Sequence, residues 1–278
     1  MTVVPFTGGR VPDVAGLRRL GALGRAELLL LIRNRSALFS ALFVPLVLLW
    51  ALHSSLPRHY SGHAADLSTA PVLASGSIGV VLLVVLYATL VPAFVARRED
   101  LVLKRLRTGQ VLDLEILGGT SLPVALIALV QCSALITLST AALGVGLPEN
   151  VLLLVLAVLL GALLTVAFAA VTSIWTRTTE MAQLTTVPLL LASVAGSGLV
   201  VPLAAMPTWL AEACRWLPLT PVMELVRLAW LGSADGPATP LGFAGSWSAA
   251  VPYLGAVLIW GAAARYVLRR WFRWEPRR

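Results

Sequence analysis

Six apolar segments dominate the chain, and each is long enough to cross a lipid bilayer as an α-helix. A hydrocarbon core of about 30 Å needs about 20 helical residues, because each residue adds about 1.5 Å. Such segments predict an all-α, polytopic membrane protein, since helices satisfy their own backbone hydrogen bonds in lipid. The predicted spans are Ser36–Leu56, Pro71–Ala96, Thr120–Gly146, Val151–Thr176, Met181–Leu203 and Ser246–Val267.

Composition agrees with a membrane protein and argues against a nucleic-acid partner. Of 278 residues, 58% are hydrophobic and only 12% are charged, a balance typical of integral membrane proteins. The net charge of +8 comes from cations that cluster beside the apolar segments, without the aromatic-interleaved stripe of a nucleic-acid surface. Cys132 and Cys214 lie far apart in the sequence and indicate neither a disulfide framework nor a metal site.

The distribution of positive charge predicts the orientation of the chain. With six spans, all but three of the 21 Lys and Arg residues fall on one side, the exceptions being Arg58, Arg215 and Arg227. The positive-inside rule places the larger group in the cytoplasm. We therefore expect a multi-pass protein with both termini and the central loop cytoplasmic. Arginine far outnumbers lysine, which suggests a GC-rich bacterial genome and hence the bacterial plasma membrane.

The N-terminal region, residues 14–35, predicts an amphipathic helix that lies in the headgroup layer. Leucines share one face and arginines the other, as in interfacial helices that contact anionic lipid. Glu27 falls within the apolar stripe, where it either pairs with an arginine of the central loop or extends to water. The residues assigned to this interfacial elbow are Arg25, Glu27, Arg33 and Arg35.

The central segment, residues 97–119, cannot lie in a bilayer, although apolar spans flank it. It carries five cations and four acids, and its leucines give short helices an apolar face. Thr108-Gly109 predicts a break and Gly118-Gly119 predicts a stop. The segment is either an amphipathic element that carries force to another protein or a solvated positive-inside loop, and its own residues favour the loop.

A further apolar segment, residues 204–230, is predicted not to cross the membrane. A seventh crossing would place the C-terminal arginines outside, so we expect two short re-entrant or interfacial helices on the external face, turning near Pro218–Pro221. Two acid–base pairs at i,i+3 spacing, Glu212/Arg215 and Glu224/Arg227, are expected to be partly exposed and modestly stabilising. The residues assigned to this external pair of helices are Pro207, Trp209, Pro218, Pro221 and Arg227.

No motif in the chain predicts catalysis, a cofactor or a bound metal. No GxxxxGK[ST] phosphate loop is present, so ATP hydrolysis is not expected of this chain. None of the six spans has an Asp, Glu, Lys or Arg near its middle, which argues against an ion-coupled carrier. The loop histidines beside Asp66 are expected to be solvated.

Polar residues inside the spans leave two interpretations open. They line a polar path, or they form hydrogen bonds between helices. The residues concerned are Gln131, Thr137, Ser139, Thr165, Thr172 and Ser193. Ser75 and Gly79 suit close packing of small residues.

Four stretches resemble the type-2 permease subunits of ATP-binding-cassette exporters, the group that includes daunorubicin-type antibiotic exporters. They are ELLLLIRNRSALFSALFVPLVLL from Glu27, LKRLRTGQVLDLEILGG from Leu103, TRTTEMA from Thr176, and GSGLVVPLAAMPTWLAEACRWLPLTPVMELVR from Gly196. They extend over most of the chain, and their order and spacing carry the resemblance. Leu101-Val102 and Gly109-Gln110 depart from the small residue and the Thr-Pro that such permeases often have.

The resemblance implies a single membrane domain over residues 1–278 that forms a dimer with a second copy or a paralogue. A cytoplasmic ATPase would bind ATP and Mg²⁺ and would contact the coupling segment, while an amphipathic drug, antibiotic, lipid or glycan leaves outward. The residues that would contact the ATPase are Lys104, Arg105, Leu106, Arg107, Thr108, Gly109 and Gln110. A non-transporting membrane scaffold or assembly subunit is the alternative, and a membrane-embedded enzyme is a distant third.

Overall fold

The computed structural model describes residues 69–99, 113–142, 146–199, 203, 206–233 and 241–272. Within these ranges all regular structure is helical, which confirms the all-α prediction. The helices are α1 (Thr69–Val81), a π-helical segment (Leu82–Tyr87), α2 (Ala88–Glu99), α3 (Asp113–Ala142), α4 (Val151–Trp175), α5 (Thr179–Gly196), α6 (Thr208–Arg215), α7 (Thr220–Leu231) and α8 (Gly242–Trp271).

Four of these helices are long and apolar enough to cross a membrane. They cover Ala74–Glu99, Leu117–Ala141, Val151–Trp175 and Gly242–Trp271, and they correspond to the predicted spans two, three, four and six. The predicted first span and the N-terminal helix over 14–35 lie outside the described residues. The predicted fifth span is shorter than expected, because α5 ends at Gly196 and Gly198 adopts a φ of 74°, a conformation that ends helices.

The first described helical rod, residues 69–99, is α-helical at both ends and π-helical near its middle. Between α1 and α2, the Ala88 N–H bonds to the Leu83 carbonyl, five residues back instead of four. Leu82, Leu86 and Tyr87 of this segment are buried. Such π-segments occur mostly as single turns inside α-helices. The rod therefore continues from Thr69 to Glu99 with one local change of register.

The central segment predicted over residues 97–119 is shorter than its sequence suggested. α2 runs through Arg97, Arg98 and Glu99, and α3 already begins at Asp113, so only residues 100–112 separate them. Gly118-Gly119 was expected to stop a helix and instead lies inside α3. Glycine is more frequent in membrane helices than in soluble ones. The pair does not interrupt α3, which therefore extends into the segment that was predicted as a loop.

α7 is the most enclosed element of the bundle. Every residue from Thr220 to Trp230 is buried, and the helix packs chiefly against α4 and α8 and also against α1. α2 packs against both α4 and α5. The other helices therefore pack around two helices of one core: α7 towards one end of the bundle and α2 towards the other.

Glycines set the distance between the core helices. A Cβ added to Gly161 of α4 would lie 2.6 Å from Val222 Cγ1 and 2.9 Å from Leu82 Cδ1. A Cβ on Gly79 would lie 2.6 Å from Met223 Sδ, and Ser75 is fully buried. The small-residue packing expected at Ser75 and Gly79 is therefore present, and it brings α1 against α7.

Candidate functional site

A helical hairpin, α6 followed by α7, occupies the segment that was predicted not to cross the membrane as one helix. α6 ends at Arg215 and α7 begins at Thr220, so the chain turns over residues 216–219. Pro207 is the N-cap of α6, and Pro221 lies in the first turn of α7, where a missing N–H is tolerated. The Thr220 hydroxyl donates to the Cys214 carbonyl at 2.7 Å and fixes the turn.

α6 is amphipathic and carries its aromatic residues outward. Ala211 and Cys214 face the protein, whereas Trp209 and Trp216 are 71% and 78% exposed. Tryptophan favours the interface between lipid and water because its ring is amphipathic. Glu212 and Arg215 are both exposed and form no ion pair with each other, contrary to the predicted shielding.

α7 runs antiparallel to the first part of α4: it begins near the middle of α4 and ends beside the start of α4. At its C-terminal end, Asn150 N–H donates to the Ala229 carbonyl at 2.9 Å, beside the start of α4. At its N-terminal end, Pro218 and Leu219 lie in one small cleft with Thr165, which is well inside α4. With 12 residues, α7 is about 18 Å long, so it accompanies α4 over about half of its length.

Asn150 joins three helices at the end of the bundle where α7 finishes. Its Oδ1 accepts from the Leu153 N–H at 2.9 Å and caps α4. Its Nδ2 donates to Ser246 Oγ at 2.8 Å, in the first turns of α8. Nearby, Trp230 Nε1 donates to the Gly146 carbonyl at 3.1 Å. The fully buried Asn150 therefore fixes the ends of α4 and α8 through its side chain and the end of α7 through its backbone N–H.

A buried ion pair lies on α7. Arg227 Nη1 and Glu224 Oε1 are 3.2 Å apart, and the two side chains are only 3% and 7% exposed. The pair was expected to be partly exposed, and this expectation is wrong because α4, α8 and α1 enclose α7. No described residue accepts a hydrogen bond from Arg227 Nε or Nη2. The guanidinium lies against Gly198, where an added Cβ would be 2.7 Å from both Nη atoms.

The opposite end of the bundle contains a second buried arginine, Arg98, in the last turn of α2. Its Nη1 donates to the Ser173 carbonyl at 2.9 Å, and its Nη2 donates to the Thr176 carbonyl. Both acceptors belong to the C-terminal end of α4, where backbone carbonyls lack helical partners. Arg98 therefore caps α4 from a neighbouring helix.

Glu99, the last residue of α2, contacts the start of α5, as Arg98 contacts the end of α4. Its Oε2 accepts from the backbone N–H of Thr179 at 3.3 Å and from the Thr179 hydroxyl. Thr179 is the first residue of α5, where N–H groups lack helical partners. The Thr178 side chain caps the Met181 N–H at 3.3 Å, so two of the free N–H groups are satisfied.

A cleft lies at mid-bundle, where the α6–α7 turn meets the π-segment, α4 and α5. Its walls are mostly apolar, with the Ser193 hydroxyl among them. The lining residues are Leu83, Tyr87, Leu164, Thr165, Phe168, Leu189, Ser193, Pro218 and Leu219. The Tyr87 hydroxyl is 2.9 Å from Thr172 Oγ1, which links the π-segment to α4.

Of the polar residues predicted inside the spans, Thr137, Thr165 and Thr172 form hydrogen bonds within or between helices. Thr165 Oγ1 donates to the Gly161 carbonyl at 2.7 Å, and Thr137 Oγ1 donates to the Ser133 carbonyl at 2.9 Å, each within its own helix. Thr172 links two helices through Tyr87. Of the predicted set, Thr165 and Ser193 lie in the cleft.

The predicted site residues divide between described and undescribed parts of the chain. The coupling residues 104–110 and the elbow residues Arg25, Glu27, Arg33 and Arg35 lie outside the described ranges. The structure places the five residues of the segment that was predicted to be external along one hairpin, with Trp209 exposed and Arg227 buried.

Sequence reasoning missed Arg98, Glu99 and Asn150. Asn150 stands immediately before a long apolar run, and this N-cap pattern was a usable signal. Arg98 and Glu99 lie in the segment assigned to the central loop, and no local pattern indicated their partners.

Comparison with protein families gives a match over most of the chain. Residues 53–264 match the family described as ABC-2 family transporter protein. A comparison with curated proteins finds no match.

Proposed function

Because this chain belongs to the ABC-2 family of transporter proteins, we propose that it is the membrane-spanning subunit of an ATP-driven exporter. The family match over residues 53–264 is the observation that carries this proposal. The family implies a transport subunit that works with a separate ATP-binding-cassette ATPase. In our proposal ATP and Mg²⁺ bind to that ATPase, and the transported molecule is an amphipathic drug, antibiotic, lipid or glycan.

The position of α7 supports an external, re-entrant hairpin. α7 is buried from Thr220 to Trp230 and accompanies α4 over only about half of its length, so a full crossing would need a longer helix than its 12 residues. In our proposal the hairpin enters the outer leaflet from outside, and the exposed Trp209 and Trp216 lie at the membrane surface. The protein would then have six spans, with both termini cytoplasmic in the bacterial plasma membrane.

Residues 104–110 are proposed to contact the ATPase, because they follow α2 on the cytoplasmic side. Leu106 would fill an apolar groove, and Arg105 and Arg107 would face acidic residues at its rim. Two such permeases, identical or paralogous, would form a dimer whose interface opens outward when the ATPases close. The elbow residues Arg25, Glu27, Arg33 and Arg35 would hold the N-terminal helix among lipid headgroups.

Copurification and ATP turnover test the partnership. The tagged chain is extracted with a mild detergent, and copurifying proteins are identified by mass spectrometry. We expect an ATP-binding-cassette ATPase whose ATP turnover persists in the complex. In reconstituted vesicles, efflux of a fluorescent amphipathic drug should then depend on ATP. A complex that lacks an ATPase would favour the scaffold alternative.

Substitution of the coupling residues tests the contact itself. A buried apolar anchor contributes about 2 kcal/mol or more at an interface, whereas rim charges mostly set register and encounter rate. Leu106→Asp should therefore reduce ATPase association and efflux more than Arg105→Ala. Normal efflux with folded Leu106→Asp would reduce this segment to a positive-inside loop.

Cysteine labelling tests the orientation independently of any partner. In a background without Cys132 and Cys214, the exposed positions Arg177 and Glu212 are changed to cysteine one at a time. A thiol reagent that cannot cross membranes should label Glu212→Cys in whole cells and Arg177→Cys only in opened cells. Labelling of Arg177→Cys in intact cells would overturn the topology.

A further inference from the structure

Two neighbouring residues of opposite charge end α2, and each binds the terminus of a different helix. Arg98 donates to two carbonyls at the C-terminal end of α4. Glu99 accepts from the backbone and the hydroxyl of Thr179 at the start of α5. Between these contacts lies the short α4–α5 turn, residues 176–178, so two adjacent side chains hold both sides of one turn.

The signs of the two charges match the helix termini that they contact. A helix carries partial negative charge at its C-terminus and partial positive charge at its N-terminus. The guanidinium of Arg98 therefore suits the end of α4, and the carboxylate of Glu99 suits the start of α5. Exchanging the two residues would place both charges against the unfavourable terminus, although composition and net charge stay the same.

Packing makes α2 the common support of α4 and α5. α2 packs against each of them extensively, whereas α4 and α5 share few direct contacts although they are consecutive in the chain. Thr176 Oγ1 lies 2.8 Å from Thr185 Oγ1, which ties the turn to α5 as well. The end of α2 is therefore in contact with both helices and with the turn between them.

Arg98 and Glu99 also directly precede the segment that is proposed to meet the ATPase. Lys104 follows only a few residues after the end of α2. We infer that Arg98 and Glu99 are positioning residues that make α4 and α5 follow the coupling segment as one unit. This inference rests on the proposed function, because it assigns a path to the movement that ATP binding would drive.

The test measures movement of the α4–α5 turn in the complete complex. Spin labels are placed on Arg177→Cys in the turn and on Arg270→Cys near the end of α8, both exposed, in a chain with Cys132 and Cys214 replaced by serine. The labelled chain is mixed with excess unlabelled chain and assembled with its ATPase in lipid nanodiscs. Pulsed electron paramagnetic resonance then compares the distance without nucleotide and with ATP trapped by vanadate.

Three variants are compared with the parent chain. The first exchanges the charges (Arg98→Glu with Glu99→Arg), and the second is Glu99→Gln, which keeps an acceptor oxygen and loses the charge. The matched control is Glu180→Gln, because Glu180 is an exposed acid in the first turn of the same helix. Thermal unfolding and ATPase copurification are measured for each, so that a misfolded variant is recognised.

We expect the nucleotide-dependent change in distance to be lost in the exchanged variant, reduced in Glu99→Gln and unchanged in Glu180→Gln, while ATP turnover continues in all three. If the exchanged variant does not fold, Glu99→Gln decides, and a full change in that variant overturns the inference. A full change in a folded exchanged variant overturns it too, as does a parent chain whose turn does not move during ATP turnover. If no ATPase associates with the parent chain, the proposed function itself fails.

Discussion

Two buried arginines, Arg227 on α7 and Arg98 on α2, use a neighbouring glutamate in opposite ways. On α7 the glutamate lies three residues earlier and bonds directly to the arginine, so the charges are neutralised within one helix. On α2 the glutamate is the next residue, and the two side chains contact different helices. The Glu224–Arg227 ion pair joins two residues of one helix, whereas the contacts of Arg98 and Glu99 connect three helices.

The difference follows from helical spacing. Residues three or four apart share a face of a helix, whereas adjacent residues point in different directions. Glu224 and Arg227 can therefore pair with each other, while Arg98 and Glu99 must find partners elsewhere. The α7 pair should behave as a unit that can be removed whole, and the α2 pair as two separate links that cannot.

Removing Arg227 alone should have the largest effect on stability. Arg227→Met removes the guanidinium that lies 3.2 Å from the buried Glu224 carboxylate, and breaking a buried pair in this way costs about 3–5 kcal/mol. The expected result is a strongly lowered Tm in detergent, measured by tryptophan fluorescence. A Tm close to that of the parent chain would mean that Glu224 is neutral before Arg227 is removed.

Removing Arg98 should lower stability by a comparable amount, and removing its neighbour should not restore it. Arg98→Met leaves two buried carbonyls of α4 without a donor, at about 1–3 kcal/mol for each unsatisfied group. The double variant Arg98→Met/Glu99→Leu should be no more stable than Arg98→Met, because the links are separate. The measurements are the Tm and the rate of trypsin cleavage at Arg177 in the turn. Recovery in the double variant would contradict the comparison.

Gly198→Ala should lower the Tm by an intermediate amount, partly because the new side chain would displace Arg227. Gly198 has a φ of 74°, which costs an L-residue about 1–2 kcal/mol, and the new Cβ would displace the guanidinium. The matched control is Gly255→Ala, because a Cβ there meets nothing within 4 Å and alanine is the better helix former. We expect a lower Tm for the first variant and an equal or higher Tm for the second.

Removing both members of the α7 pair should have the smallest effect. Replacing a buried ion pair by apolar residues of similar volume is often neutral or stabilising. Glu224→Leu/Arg227→Met should therefore recover most of the Tm lost in Arg227→Met. A double variant as unstable as the single one would show that Glu224 and Arg227 also act as separate links.

The features that follow from local sequence were predictable, and those set by distant contacts were not. Four membrane-length helices and the break before Thr220 follow from the lengths of apolar runs and from Pro218 and Pro221. The burial of Glu224 and Arg227 was not predictable, because their spacing also suits a solvated helix face. Their burial results from the packing of α1, α4 and α8 around α7. Arg98 reaches acceptors 75 and 78 residues away, a distance that no local pattern reports.

The π-segment between α1 and α2 has a consequence for how this fold tolerates change in chain length. Each residue of an α-helix turns the chain by about 100°, and a π-turn accommodates an extra residue within the rod. Loss of a single codon there would convert the segment to ordinary α-helix and rotate Arg98 and Glu99 away from the turn that they hold. The glycine contacts of α1 with residues 199 and 223 would keep their place. In descendants of this sequence, a one-residue deletion in the rod should therefore be rarer than most substitutions there.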